Sequence, residues 1–186
     1  SYGFKVTNQY YQDANYDIQL YLRDTNDEES KKIINDIIKM DNITKYSINR
    51  AMSMTFDYKK YYNEDVLENY DGINDLPLRI MSVGEDEFER ILKENKISDT
   101  NFDYKGLLID KNIFYQEDSK NYKEVNLFDL NKFKTVTGSI NNKDLSIKIL
   151  KRIDTLPMGL QNVYSETPTV IVSDKFYDYI VSNYNV

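Results

Sequence analysis

Apolar and polar residues alternate along several stretches of this chain, and each stretch has the length of a β-strand. In the longest, residues 45–56, Met52, Met54 and Phe56 share one side and polar residues the other, which is typical of a half-buried strand. We expect residues 113–115 to extend a strand at 105–109 after a turn. Similar patterns predict the remaining strands at residues 16–22, 76–83, 105–109, 121–127, 133–140, 145–149 and 169–172.

Other stretches have the 3.6-residue period of an amphipathic helix. Four isoleucines predict a helix over residues 27–40, and Thr25 with Glu28 fits the capping-box pattern at its start. Two further helices, each preceded by polar capping residues, are predicted at residues 85–95 and 174–184.

These elements together predict an α+β fold. We expect a mixed, largely antiparallel sheet with about three helices packed on it, because strands and helices do not alternate regularly along the chain. The pattern also allows two small lobes. The length of 186 residues fits one domain, residues 1–186, with residues 57–75 as a loop insertion that contains a short helix over 63–70.

Composition narrows the chemistry that such a domain can perform. The chain contains no histidine and no cysteine, which excludes a Ser-His-Asp triad, a thiolate nucleophile and a thiolate zinc site. The net charge of −7 argues against binding to nucleic acid, which requires a basic surface. We therefore predict a protein that is not an enzyme and uses no cofactor or metal. A hydrolase that relies on paired carboxylates stays open as an alternative.

The segment 57–75 is unusual because tyrosines and carboxylates are interspersed there. Tyrosine provides a large contact area at low entropic cost, and carboxylates attract basic groups, so the segment is a candidate surface for a cationic peptide. The alternative explanation is a compositional bias toward tyrosine combined with its preference for strands. The candidate contact residues are Tyr58, Tyr61, Tyr62, Glu64, Asp65, Glu68, Tyr70 and Asp71.

Four stretches resemble the extracytoplasmic domain of FtsX-like ABC transporter permeases, the MacB-type core domain, as found in Firmicutes. They are YDIQL at 16–20, IIKMDNI at 37–43, MSVGEDEF at 81–88 and KGLLI at 105–109. The abundance of Asn, Lys, Ile, Asp and Tyr is typical of the AT-rich genomes of such bacteria. No short motif of that family assigns functional residues to this chain.

The resemblance implies a location and a role. The domain would lie on the extracytoplasmic face of the cell membrane, tethered by flanking membrane helices, and a cytoplasmic ATPase would be its partner. It would bind a peptide, a lipoprotein or an accessory protein and couple that binding to ATP-driven motion of the membrane helices. The start at Ser1, without methionine, leads us to expect a segment of a longer protein. A secreted or surface-anchored adhesin module is the alternative.

Overall fold

Six strands of this chain close into a barrel in the computed structural model, which describes residues 19–22, 27–160 and 167–186. Around the barrel the order is β1, β2, β8, β3, β7 and β6, and β4 pairs with β5 in a separate two-stranded sheet. The strands are β1 (Arg50–Phe56), β2 (Leu76–Ser82), β3 (Lys105–Ile109), β4 (Lys111–Gln116), β5 (Asn121–Asn126), β6 (Thr135–Ile140), β7 (Lys143–Arg152) and β8 (Thr169–Ile171).

The barrel mixes both pairing directions. β2 with β8 and β3 with β7 are parallel, whereas the other neighbours are antiparallel. Closure depends on one residue pair, Thr55 of β1 opposite Ser139 of β6. Gly138 makes this approach possible, because a Cβ atom at that position would lie 2.6 Å from the carbonyl oxygen of Thr55 and 2.8 Å from the sulfur of Met54.

Four α-helices accompany the barrel in the described residues: α1 (Glu28–Ile38), α2 (Glu64–Leu67), α3 (Glu85–Glu94) and α4 (Asp174–Asn183). The side chain of Asp27 accepts a hydrogen bond from the Ser30 amide and begins α1, and Ser173 begins α4 in the same way through the Phe176 amide. Residues 57–75 connect β1 to β2 through α2 and two 3₁₀ turns.

The core has two parts because three strands are buried on both faces. Ile80, Leu108 and Val170 belong to the larger cluster, which also contains aromatic residues of the 57–75 segment and the buried side of α4. The adjacent residues Met81, Leu107 and Ile171 point to the opposite face, where they form a second cluster with Phe88 and Ile91 of α3. The burial of nearly all of β3 and β8, and of residues 80–82 of β2, follows from this double packing.

The predicted fold class is wrong. A mixed, largely antiparallel sheet with about three helices packed on it was expected, whereas the structure has a closed six-stranded mixed barrel, a separate hairpin and four α-helices within the described residues. The local period of two residues places strands on the chain, but it carries no information about which distant strands pair. Closure through Thr55 and Ser139 joins residues far apart in sequence.

Individual elements differ as well. Only Arg50–Phe56 of the expected strand 45–56 is a strand, and residues 19–22 have no regular structure. Residues 16–18 and Thr25, which belong to the predicted first strand and capping box, lie outside the described residues. Residues 113–115 do not extend β3 within the barrel, since they belong to β4 and pair with β5.

Candidate functional site

The β4–β5 hairpin stands apart from the barrel as its own two-stranded sheet. Its register runs from Lys111 opposite Asn126 to Gln116 opposite Asn121, and residues 117–120 form the connecting turn. Tyr115 and Tyr122 are paired across the strands with their ring centroids 5.3 Å apart. Both rings are largely exposed, at 53% and 74%.

A network of hydrogen bonds anchors the base of this hairpin to the barrel. Asp110, at the junction of β3 and β4, is buried, and its carboxylate accepts hydrogen bonds from Arg152 Nε at 2.7 Å and Arg152 Nη2 at 2.9 Å. The same carboxylate accepts the Phe128 amide at 2.9 Å. Asn63 Nδ2, just before α2, donates to the carbonyls of Asn126 and Phe128. The hairpin is therefore fixed to the barrel and to α2.

A groove of about 380 Å³ lies between the hairpin and the α2 segment, and we call it the hairpin groove. One wall is formed by α2 and the turn that follows it, at residues 65–69. The other wall is formed by residues 114–119 with Lys123 and Val125 of β5. The anchor described above holds these two walls in place.

The hairpin groove is strongly acidic. Its lining carries four carboxylates, those of Asp65, Glu68, Glu117 and Asp118, and one ammonium group, that of Lys123. Lys123 Nζ lies 3.8 Å from Asp65 Oδ2, so this lysine balances one carboxylate and leaves the other three uncompensated within the lining. Such a concentration of one charge in a concave site attracts oppositely charged ligands.

The structure separates the predicted contact residues into two groups. Tyr58, Tyr61 and Tyr62 are buried in the core, and Tyr70 is half-buried, with its ring 5.5 Å from that of Tyr58. The rings of Tyr61 and Tyr62 pack against Phe56, and the ring of Tyr58 packs against Tyr62. The three buried tyrosines are therefore not available to a partner. The carboxylates are exposed at Glu64, Asp65, Glu68 and Asp71.

Only two of those carboxylates, Asp65 and Glu68, line the hairpin groove. Glu64 lies 3.8 Å from Lys132 Nζ, and Asp71 follows the second 3₁₀ turn. Sequence reasoning missed Glu117 and Asp118, which complete the acidic lining from the hairpin turn. The signal was present in the polar sequence EDSK at 117–120 between two alternating stretches, a pattern that favours a hairpin.

Two buried tyrosines of the 57–75 segment provide a matched test of the packing. The Tyr62 hydroxyl is buried without a hydrogen-bond partner among the described residues, and burial raises the pKa of Tyr62. The Tyr58 hydroxyl oxygen lies 2.8 Å from the carbonyl oxygens of both Tyr70 and Ile73, so its single hydrogen is shared between these two acceptors.

We expect Tyr62→Phe to leave the free energy of unfolding unchanged or to raise it by up to about 1 kcal/mol, because it removes an unsatisfied polar atom. Tyr58→Phe should lower the free energy of unfolding by about 1 kcal/mol, because the carbonyls of Tyr70 and Ile73 lose the hydroxyl hydrogen that they share. Urea denaturation of both variants measures this. A larger loss for Tyr62→Phe than for Tyr58→Phe would contradict the described packing.

A second groove, of about 650 Å³, lies where the first turns of α3 and α4 meet residues 44–50. Its lining carries four carboxylates, those of Glu85, Asp86, Glu87 and Asp174, and three cationic groups, those of Lys45, Arg50 and Arg90, so its charges nearly balance. Arg50 Nη1 lies 2.5 Å from Asp178 Oδ1, and Arg90 Nη2 lies 2.5 Å from Glu87 Oε1. The lining of this groove therefore has a smaller excess of negative charge than the lining of the hairpin groove.

Glu87 in this second groove is a buried carboxylate with a structural role. Its Oε1 atom accepts the Met158 amide at 2.9 Å, while Arg90 also donates to the Leu156 carbonyl at 3.1 Å. Burial alone would raise the pKa of Glu87, but the hydrogen bonds from Arg90 and Met158 and the charge of Arg90 outweigh it and lower the pKa. Glu87 and Arg90 thus fix the loop at 156–160 to α3.

Comparison with known proteins gives no family for this chain: no family model and no curated protein matches it. Within the described ranges, no helix is both long and apolar enough to cross a membrane. The same part of the chain holds no group of three or more acidic, histidine or cysteine side chains that could bind a metal ion.

Proposed function

We propose that this chain is a non-catalytic extracytoplasmic domain of an FtsX-like ABC permease, and that it binds a cationic peptide in the hairpin groove. The observation that carries the binding proposal is the excess of carboxylates over ammonium groups in that groove. The sequence resemblance supplies the setting: the extracytoplasmic face of a cell membrane, flanking membrane helices and a cytoplasmic ATPase.

The chemistry of the groove favours a peptide over the other partners that the resemblance allows. A lipoprotein's acyl chain requires apolar walls, whereas the side chains of Glu68, Asn69, Gln116 and Ser119 make the lining mostly polar. Lysine and arginine side chains can form charge-assisted hydrogen bonds with exposed carboxylates.

The hairpin anchor gives this proposal a route for coupling. A peptide in the groove contacts both the hairpin and α2, and these two elements share the hydrogen bonds of Asn63 to Asn126 and Phe128. Through Asp110 and Arg152 the hairpin is joined to β3 and β7 of the barrel. A change in the angle of the hairpin on binding would therefore be passed to the barrel, and from there to the membrane helices that we propose.

The test is the affinity of a cationic peptide, acetyl-(Lys-Thr)₄-amide, for variants of the groove. We expect Glu117→Gln with Asp118→Asn to weaken binding about tenfold at low salt, because two Coulomb attractions of up to about 1 kcal/mol each are lost. The matched control is Asp36→Asn with Glu89→Gln. It changes the net charge equally at two exposed residues that do not line the hairpin groove.

The affinities are measured by isothermal titration calorimetry at two salt concentrations. They show whether the peptide is attracted by the carboxylates of the groove or by the net charge of the whole protein. The proposal requires that the groove variant loses affinity while the control variant binds like the wild type. Equal losses for both variants would mean that the peptide responds only to net charge. Absence of binding to the wild type at low salt would refute the proposed peptide partner.

A further inference from the structure

The outer edge of β4 carries backbone groups that point away from β5. The Leu127 amide donates to the Asp110 carbonyl at 3.0 Å, which makes Asp110 and Leu127 a hydrogen-bonded pair at the base of the hairpin. Because bonded and non-bonded pairs alternate in an antiparallel ladder, Lys111, Ile113 and Tyr115 must direct their amides and carbonyls outward. The Ile113 amide agrees with this assignment, since it donates to the Asn112 side chain at 2.8 Å rather than to β5.

The two edges of the hairpin are not equivalent. On the β5 side, the outward carbonyl of Asn126 is already occupied by Asn63 Nδ2 at 2.8 Å. On the β4 side, the Ile113 carbonyl and the amide and carbonyl of Tyr115 face no other strand in the described residues, because β4 pairs with β5 alone. Tyr115 also lines the hairpin groove, so this edge and the acidic groove are continuous.

We propose that the cationic peptide binds in extended form as a third strand on the outer edge of β4, around Ile113–Tyr115. This inference rests on the proposed peptide-binding function and adds the mode of recognition. Backbone hydrogen bonds to the edge hold the peptide irrespective of its sequence, and alternate side chains supply selectivity. One set of alternate side chains faces the carboxylates of the groove, so basic residues at every second position are preferred.

The edge has the features that this mode requires. Ile113 and Tyr115 are exposed and lie on the same face of β4, where they can pack against the non-basic residues of an added strand. The carboxylates of Glu117 and Asp118 follow directly at the end of the strand. An added strand also enlarges a two-stranded sheet, and sheets of three or more strands are more stable than isolated hairpins.

N-methylated forms of acetyl-(Lys-Thr)₄-amide test the strand geometry without altering the protein. Two peptides are compared, one methylated on the lysine amides and the other on the threonine amides. Adjacent residues of a strand direct their amides to opposite edges, so only one series can block the edge that meets β4. We expect that series to bind at least about tenfold more weakly and the other to stay within about threefold of the parent peptide.

A protein variant provides the second measurement. Tyr115→Pro removes the outward amide at a position where the ladder to β5 loses no hydrogen bond, and proline is tolerated at a strand edge. Tyr115→Ala is the matched control, because it removes the ring and keeps the amide. We expect the proline variant to bind the parent peptide more weakly than the alanine variant.

The outcomes separate the two proposals. Suppose that the parent peptide binds, that the groove variant binds it more weakly, and that both methylated peptides bind the wild type as tightly as the parent does. The peptide is then held by its side chains alone. The strand mode is then overturned while the proposed function stands. If the parent peptide does not bind at all, both the function and the strand mode are overturned.

Discussion

Replacing Asp110 with alanine is expected to lower the free energy of unfolding by about 3–5 kcal/mol, as is typical when one partner of a buried ion pair is removed. The Asp110 side chain is fully buried, whereas that of Arg152 is 24% exposed. Without the carboxylate, the guanidinium loses two charge-assisted hydrogen bonds and the amide of buried Phe128 loses its acceptor. Urea denaturation measures the loss.

Asp154→Ala is the control for this prediction. Asp154 is 65% exposed and pairs with Lys111 Nζ at 3.2 Å, so its removal should cost less than about 1 kcal/mol. Since Asp110 anchors the hairpin, amide hydrogen exchange at residues 111–126 should accelerate more than exchange in the barrel when Asp110 is replaced. Equal stability of the two variants would show that the anchor does not have the role described here.

Glu87→Gln is expected to lower the free energy of unfolding by about 2–3 kcal/mol at neutral pH. The Glu87 side chain is 3% exposed, and its carboxylate accepts hydrogen bonds from Arg90 and the Met158 amide. The loss is smaller than for Asp110→Ala because glutamine keeps an amide oxygen that can still accept a hydrogen bond from Arg90 or from the Met158 amide. The control is Glu94→Gln. This substitution also neutralises a carboxylate that pairs with Arg90, but the Glu94 side chain is 50% exposed.

The contribution of Glu87 to the free energy of unfolding depends on pH. The pKa of Glu87 is lowered in the folded protein relative to its ordinary value of 4.5, so the unfolded chain binds the proton more readily. The stabilisation is therefore complete above pH 4.5 and is lost as the pH falls through the lower folded pKa. The stability difference between wild type and Glu87→Gln should shrink on acidification from pH 4.5 downward. A stability difference that grows on acidification would contradict a lowered pKa of Glu87 in the folded protein.

Much of the local structure could be predicted from the sequence. The strand expected at residues 105–109 is β3, and those expected at 76–83 and 121–127 match β2 and β5 within one residue at their ends. The alternation of apolar and polar residues predicts these strands correctly because the period of two residues is a local property of a strand with two different faces. Barrel closure is not local, since it depends on Gly138 admitting the backbone of Thr55 to close contact.

The candidate site was predicted in part, and the reason lies in the dual nature of tyrosine. A tyrosine in a polar segment can face solvent or turn its ring inward and satisfy its hydroxyl with backbone carbonyls, as Tyr58 does with Tyr70 and Ile73. Composition does not distinguish these two arrangements. The contribution of Glu117 and Asp118 depends on the pairing of β4 with β5, which brings residues 114–119 opposite α2.

The most direct test of the central claim is to titrate acetyl-(Lys-Thr)₄-amide into the ¹⁵N-labelled protein and to follow the backbone amide resonances. The account predicts that the largest shifts fall on residues 65–69 and 113–123, the two walls of the hairpin groove and the edge of β4. Shifts concentrated at the groove between α3 and α4, or spread evenly over all exposed carboxylates, would contradict it.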